Sequence, residues 1–425
     1  MKEIFKKIVL NILYWESKLV LKFKKPKIIA ITGTVGKTTT KEIIFAGLKD
    51  YFEVRKSPKG FNSDIGVLLS ILDLSTEGIS FQGWLKNIFR GLTTLFRKDY
   101  PRLLILEVGA NYPGEISKNA KLLQSDIVVF TRLPQIMAHM EFFRNREHFI
   151  QEKMSLAEEM KNDGVIIYNG DDTTLRKELS RKKFANCQKI SFGKNREVSF
   201  QNVEIVRNNN EIIGTEIKTN QGTVLLKKVL GKHLAYPVTA LIAVAKYFEL
   251  NPRKVLKSLE ENFTPPPGRM RIFKGENGEI IIDDSYNALP ESVKNGAELL
   301  KEIDTTGRKI YVLGRLAELG KYTEKSYRKA LEAINNSAEI IFLVNNGGMA
   351  KKIADKMNFK EVHSFNRHKK DYLANTGEAG EFLKQYLRPN DVVVFKGARH
   401  STGFESAIVK LIAEKDKKYL VQDYI

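Results

Sequence analysis

Residues 28–44 read IIAITGTVGKTTTKEII, and this stretch constrains the fold more than any other. An apolar run meets a turn of glycine and threonine, and a helix-forming segment follows. Such a loop of small residues, set between a strand and a helix N-terminus, aims backbone N–H groups and the positive helix dipole at an anion. Lys37 is placed to reach the β and γ phosphates of a nucleotide, and the Thr38 hydroxyl to ligate Mg²⁺. Thr34, Gly36 and Thr39 complete the expected nucleotide-binding loop. The strict phosphate-loop pattern puts a glycine five residues before Gly36. Ile31 stands there instead, and Gly33 lies inside the loop. ATP is the expected cofactor.

The rest of the chain alternates in the same way. RLLILEVGA, SDIVVFTRL and GVIIYNGDD are short apolar runs of the parallel-strand kind, with helical segments between them. Residues 187–230 change to short alternating segments such as VSFQNVEIV and GTVLLKKVL, which read as antiparallel β structure inserted in the domain. TPPPGRM marks a linker, because three prolines cannot continue a helix or a central strand. Beyond it the runs GEIIIDDSY, KIYVLG, EIIFLVN and DVVVFKG resume the alternation. The expected fold class is α/β. A P-loop ATPase domain with a mostly parallel sheet and a small antiparallel insertion spans 27–268, and a second Rossmann-like α/β domain spans 269–425.

Composition bounds the partners. With 425 residues, 42% of them hydrophobic, the chain can build two or three real cores. Its single cysteine, Cys187, excludes a disulfide framework and a multi-thiolate metal site, and fits a reducing cytosol. Seventy Lys and Arg against fifty Asp and Glu give a net charge of +20, which suits nucleic acid, anionic membrane or polyanionic small substrates. The lysines are scattered without an Arg-rich arm or a nucleic-acid module, so nucleic acid is not an expected partner. The segment 1–26 contains IFKKIVLNILYWESKLVLKF, in which Ile4, Ile8, Ile12, Trp15 and Leu19 recur at helical spacing among Lys6, Lys7, Lys18 and Lys22. Charges interrupt it too often for a membrane span. It reads either as a basic amphipathic helix touching an anionic membrane through residues 1–24 or as a helix packed on the next domain.

Several segments, taken together, resemble the Mur ligase family, ATP-dependent enzymes that join a carboxylate to an amino acid or peptide. TGTVGKTTT is the family's form of the phosphate loop. KGFNSDIGV, EVGANYPGEI, DDSYNALPESV and FKGARH are similar to the blocks of the branch that adds D-alanyl-D-alanine, and they fall in family order from about residue 27 to 410.

The resemblance implies an acyl phosphate formed on a carboxylate substrate and then attacked by an amine, with ATP and two Mg²⁺ ions. It implies Thr38, Glu107, His139 and Lys153 as metal ligands, with Lys153 carbamylated into a carboxylate. Lys37, His139, Lys153 and Arg269 would be catalytic, Arg269 meeting the γ-phosphate. Asp284 would hold the ribose, with Tyr286 and Asn287 near the adenine. The implied substrates are a peptidoglycan precursor and a D-amino acid or dipeptide, handled by a monomer in the cytoplasm at the inner face of the membrane. About 26 residues before the phosphate loop cannot form the domain that grips the UDP-sugar in this branch. GKHLAYPVTAL also carries Leu234 and Pro237 where relatives have asparagines, and Arg315 and Ala398 replace the family's Asp and Ser. The alternatives are a ligase acting on a non-UDP acceptor and an ATP-binding regulatory or scaffold protein without catalysis.

Overall fold

The structure is a computed structural model that describes residues 2–76, 81–134, 142–209, 211–316, 319–368 and 371–420. Two sheets organise it. The first is nine-stranded: β1 (Lys27–Thr32), β2 (Val54–Lys56), β3 (Leu103–Glu107), β4 (Ile127–Phe130), β5 (Val165–Asn169), β6 (Gln188–Lys194), β7 (Val198–Asn208), β8 (Glu211–Thr219) and β9 (Gly222–Lys227), in the order β2-β3-β1-β4-β5-β6-β7-β8-β9. Pairing is parallel from β2 through β7 and antiparallel from β7 to β9. The expected antiparallel segments are there, and they extend the main sheet.

Successive residues of the parallel strands point to opposite faces. Ile29 and Ile31 of β1 join the core under α2 (Lys37–Leu48), whereas Ile28 and Ala30 join the core on the other face. That second face is covered by α1 (Lys2–Lys24), α3 (Asp64–Leu72), α4 (Phe81–Thr94), α5 (Glu115–Leu123) and α6 (Arg146–Glu158). The short α7 (Thr173–Leu179) follows β5, and α8 (Ala235–Tyr247) and α9 (Pro252–Asn262) pack beside α2. Burial on both faces is what makes these strands continuous apolar runs.

The second sheet contains β10 (Arg271–Lys274), β11 (Ile280–Asp284), β12 (Lys309–Leu313), β13 (Ile340–Val344), β14 (Glu361–Phe365) and β15 (Val392–Lys396), in the order β10-β11-β15-β12-β13-β14. It is parallel except for β10 at the edge. Between β11 and β12 runs α10 (Pro290–Glu302). The two sheets share a hydrophobic cluster, and Leu230 N–H and Ile272 N–H bond across the junction to the Met270 and Lys228 carbonyls.

Candidate active site

The phosphate loop leaves β1 at a point where only glycine fits. Gly33 has φ of +140°, and a Cβ there would lie 2.0 Å from Thr131 Oγ1. Gly36, at φ +89°, caps α2 without a side-chain bond, so the first N–H groups of the helix keep their capacity for an anion. Thr34 N–H donates to the Arg132 carbonyl (2.8 Å), which pins the loop to the end of β4. Lys37 Nζ folds back to the Gly33 carbonyl at 3.1 Å, bridging the space that a phosphate would take.

Glu107 ends β3 beside this loop, almost wholly buried. Its two oxygens accept from Thr38 Oγ1 (3.0 Å) and from Asn62 Nδ2 (3.2 Å). Lys41 Nζ, fully buried one helical turn after Lys37, lies 3.9 Å from Glu107 and donates to the Ser57 carbonyl at 2.8 Å. Burial raises the Glu107 pKa, but Lys37, Lys41, the Asn62 amide and Arg269 outweigh it. The carboxyl stays below its ordinary value, and charged. Lys41 and Asn62 were missed from sequence. Asn62 lies inside the quoted KGFNSDIGV block, and Lys41 is one helical turn after the phosphate-loop lysine, so both had a signal.

Lys153 lies on α6, which starts where the Asn145 side chain accepts from His148 N–H. Its ammonium sits 4.6 Å over the Phe149 ring and finds no hydrogen-bond acceptor among the described residues. Burial, reinforced by the Lys37 charge, holds this amine well below its ordinary pKa, and Glu152 opposes only in part. Glu152 is spent elsewhere, accepting from the Gly114, Ile116 and Ser117 N–H groups at the start of α5. His139 lies outside the described residues.

Thr38 and Glu107 are thus brought together, and their oxygens suit Mg²⁺, which takes one or two protein oxygens beside phosphates and waters. Among the described residues no three His, Cys, Asp or Glu side chains gather as a metal centre. Lys153 as an ammonium cannot ligate a cation. As a carbamate it could.

A cleft of about 540 Å³ opens beside the loop. Gly36, Thr39, His233 and Pro237 line one wall, and Glu291 and Asn295 of α10 line the other. Pro237 therefore stands in the cleft at the position noted from sequence. Burial, with Lys396 and Arg269 adding repulsion, lowers His233 to about 4, so its ring is neutral. Arg132 and Glu291 bridge the two walls at 2.8 Å.

The remaining expected site residues fall on the opposite side of the junction. The Arg269 guanidinium lies 4.4 Å over the Tyr286 ring, its Nε buried without a partner, and its charge is felt by Glu107. Lys59 Nζ lies 4.5 Å over the same ring. Burial, Arg399 and Arg269 pull Lys59 down to about 8. Asp284, expected at the ribose, ends β11 and is held by Lys396 Nζ at 2.5 Å. Burial pushes Asp284 up and Lys396 down, and their attraction opposes both. Tyr286 and Asn287, expected near the adenine, do not line the cleft. The Tyr286 ring is taken by the two cations, and Asn287 Oδ1 accepts from Ala288 N–H at 2.7 Å. From this unit it is α10, beginning at Pro290, that reaches the cleft.

A phosphate loop, an acidic residue hydrogen-bonded to its threonine, and a second α/β sheet packed over the cleft define a nucleotide-dependent enzyme of two joined α/β units. Residues 90–245 match the family model described as the Mur ligase middle domain, and residues 268–399 the one described as Mur ligase, glutamate ligase domain. The chain belongs to the Mur ligase family. The UDP-N-acetylmuramoyl-tripeptide–D-alanyl-D-alanine ligase of Bacillus subtilis is 28% identical over 376 residues, spanning 88% of this chain and 73% of that one. The enzyme of the same name from Borreliella burgdorferi is 27% identical over 375 residues, with 88% and 72% covered. Among solved structures, MurF ligase from Thermotoga maritima in complex with ADP shares the fold at a TM-score of 0.73 and 23% identity, covering 94% of this chain and 83% of that one.

Proposed function

We propose that this chain is an ATP-dependent amide ligase that adds D-alanyl-D-alanine to a peptidoglycan precursor. The observation that carries the reading is the Thr38–Glu107 pair set under Lys37, because acyl-phosphate chemistry must neutralise two anions meeting at the γ-phosphate. A carboxylate oxygen of the precursor attacks the γ-phosphorus, and ADP leaves. The amine of the dipeptide then attacks the acyl carbon, phosphate leaves with the C–O electron pair, and the ammonium proton is lost to give the amide.

Lys37 and the α2 N-terminus hold the phosphates, while Arg269 faces the transferred group from the second unit. Mg²⁺, two ions in this reading, would be held by Thr38, Glu107, His139 and a carbamylated Lys153, and would supply charge neutralisation at the phosphates. The domain limits 27–268 and 269–425, preceded by the helix 1–26, put the phosphate loop and Arg269 on separate bodies, so closure completes the site and excludes water. The enzyme would act as a cytoplasmic monomer that touches the inner face of the membrane through residues 1–24.

The test is phosphate release by the purified protein with ATP, a UDP-muramoyl tripeptide and D-alanyl-D-alanine, with the ligated product identified by mass. Turnover only with another carboxylate acceptor would move the substrate. Nucleotide binding without any amide product would leave a non-catalytic protein.

A further inference from the structure

Helices α1 and α4 run side by side and in parallel, with Glu16 against Gly91 and Lys24 Nζ bonded to the Arg97 carbonyl at 2.5 Å. The side α4 turns inward buries Gly83, Asn87, Gly91 and Thr94, with Trp84 and Ile88 half-buried against the core beside them. Its outward face is Leu85, Phe89 and Leu92, continued by Phe96 just beyond the helix. The helix is thus apolar on two sides, whereas a helix on a water-facing domain keeps its apolar stripe to the core. Gly91 lets α1 approach closely, as small residues do between helices whose surroundings are apolar.

The neighbouring helix repeats the pattern. Val9, Leu13 and Val20 of α1 are buried against the domain, yet Ile8, Trp15, Leu19 and Phe23 stand exposed. The last two aromatic stations on each helix are the most open, with Trp15 60%, Phe23 69%, Phe89 73% and Phe96 83% exposed. Among the described residues, eight of the eleven exposed large apolar side chains belong to this pair of helices and the turn after α4. A monomer rarely leaves so much apolar surface together in water.

Charge identifies what covers it. Lys7, Lys18 and Lys22 are exposed on α1, and Lys86, Arg90 and Lys98 on or just after α4. Segment 81–94 carries no acidic residue, and α1 carries only Glu3 and the buried Glu16. Aromatic and aliphatic side chains set among lysines, on helices that lie along the surface, match the headgroup boundary of an anionic bilayer. No helix among the described residues is long and apolar enough to cross one.

We propose that α1 and α4 together form a two-helix docking face that seats the catalytic body on an anionic lipid surface. The inference deepens the membrane contact of residues 1–24 by adding α4 as a second, independent half. It draws on the ligase reading only for what the enzyme does there, since lipid binding is scored without turnover.

The experiment is flotation of the full chain with vesicles of phosphatidylcholine alone and with 30% phosphatidylglycerol, at low and high salt. The wild-type chain should float with the anionic vesicles, and less so as salt rises. Phe89→Ser with Phe96→Ser should lower the bound fraction at least tenfold while melting temperature and ATP turnover stay unchanged, because both side chains already face outward. Lys18→Glu with Lys22→Glu should abolish the preference for phosphatidylglycerol. A wild-type chain that stays in solution, or a serine variant that floats as well as wild type, overturns the proposal. A dimer in lipid-free light scattering that the serine variant converts to monomer would assign the face to a second copy and overturn it as well.

Discussion

Glu16 offers a sharp test of how α1 is seated. It is 3% exposed, both carboxyl oxygens are buried without a hydrogen-bond partner, and it presses on Gly91, where a Cβ would fall 2.0 Å from Oε2. Burial pushes its pKa up to about 7 from an ordinary 4.5. Below pH 4.5 both the folded and unfolded states hold the proton, and nothing is lost. Between 4.5 and 7 only the unfolded chain ionises, so stability falls as pH rises. Above 7 the folded state must hold a buried carboxylate. At about 1.4 kcal/mol for each tenfold change in proton affinity, the full difference is roughly 3 kcal/mol. Glu16→Gln keeps the shape and cannot ionise. At pH 8.5 it should raise the melting temperature of this unit by roughly 6–12 °C, at about 2–4 °C per kcal/mol. At pH 4.5 the two proteins should melt within about 2 °C of each other. The assay is thermal unfolding by circular dichroism across this pH range. A variant-to-wild-type difference that is constant with pH would refute the reasoning, because it would mean that Glu16 ionises freely and α1 is not packed on α4 as described.

Further expectations follow from the site. Lys37→Ala should abolish ATP turnover and leave far-UV dichroism and melting intact, since its Nζ reaches back to the loop carbonyl of Gly33 across the phosphate space; full activity would remove the phosphate-loop reading. Gly33→Ala should weaken nucleotide binding at least tenfold by calorimetry, because its Cβ would overlap Thr131 Oγ1 in a backbone region closed to alanine. Glu107→Gln should lower kcat at least a hundredfold and raise the Mg²⁺ needed for half-activity, with about 1–3 kcal/mol lost in stability as buried Lys41 loses its counter-charge. Lys153→Ala should be inactive and partly rescued by short-chain carboxylates; rescue that does not rise with their concentration would exclude a carbamate.

Strand–helix alternation was legible because parallel strands buried on both faces leave uninterrupted apolar runs such as VVVF and IIFLV. Short edge strands were not. β2 has three residues and half-buried side chains, and β10 is an antiparallel edge, so neither carries a period to read. Helix α4 was missed for a different reason. Gly83 and Gly91 are poor helix formers in FQGWLKNIFRGLTT, yet Gly91 is where Glu16 of α1 packs. For α1 the period was visible and the face was not. Ile8, Trp15 and Leu19 mark the outward stripe, and the inward one runs through Val9, Leu13 and Val20. The side chains of Ile4 and Lys6 lie outside those described. A helix apolar on two sides gives periodicity no means of choosing between them. At the site, the Thr38–Glu107 hydrogen bond was legible because motif position dictates its geometry. That the Tyr286 ring would be taken by Lys59 and Arg269 was not, because a turn decides which side chains it meets.

Burial acts to different effect on two ionisable groups that feel the Lys37 charge. Glu107 is shut away from water but ringed by Lys37, Lys41 and Arg269, so desolvation loses to attraction and the carboxylate persists. Lys153 is equally shut away, with the Lys37 charge nearby and an aromatic face over it, so desolvation and repulsion act together against its ammonium and Glu152 opposes them only in part. A neutral amine is the form that adds carbon dioxide, and the carbamate so formed would put a negative charge where the ammonium was opposed. One modification would thus relieve the repulsion from Lys37 and give this side chain an oxygen donor. Lys37, whose charge helps keep the Glu107 carboxylate ionised, would favour the carbamate for the same reason.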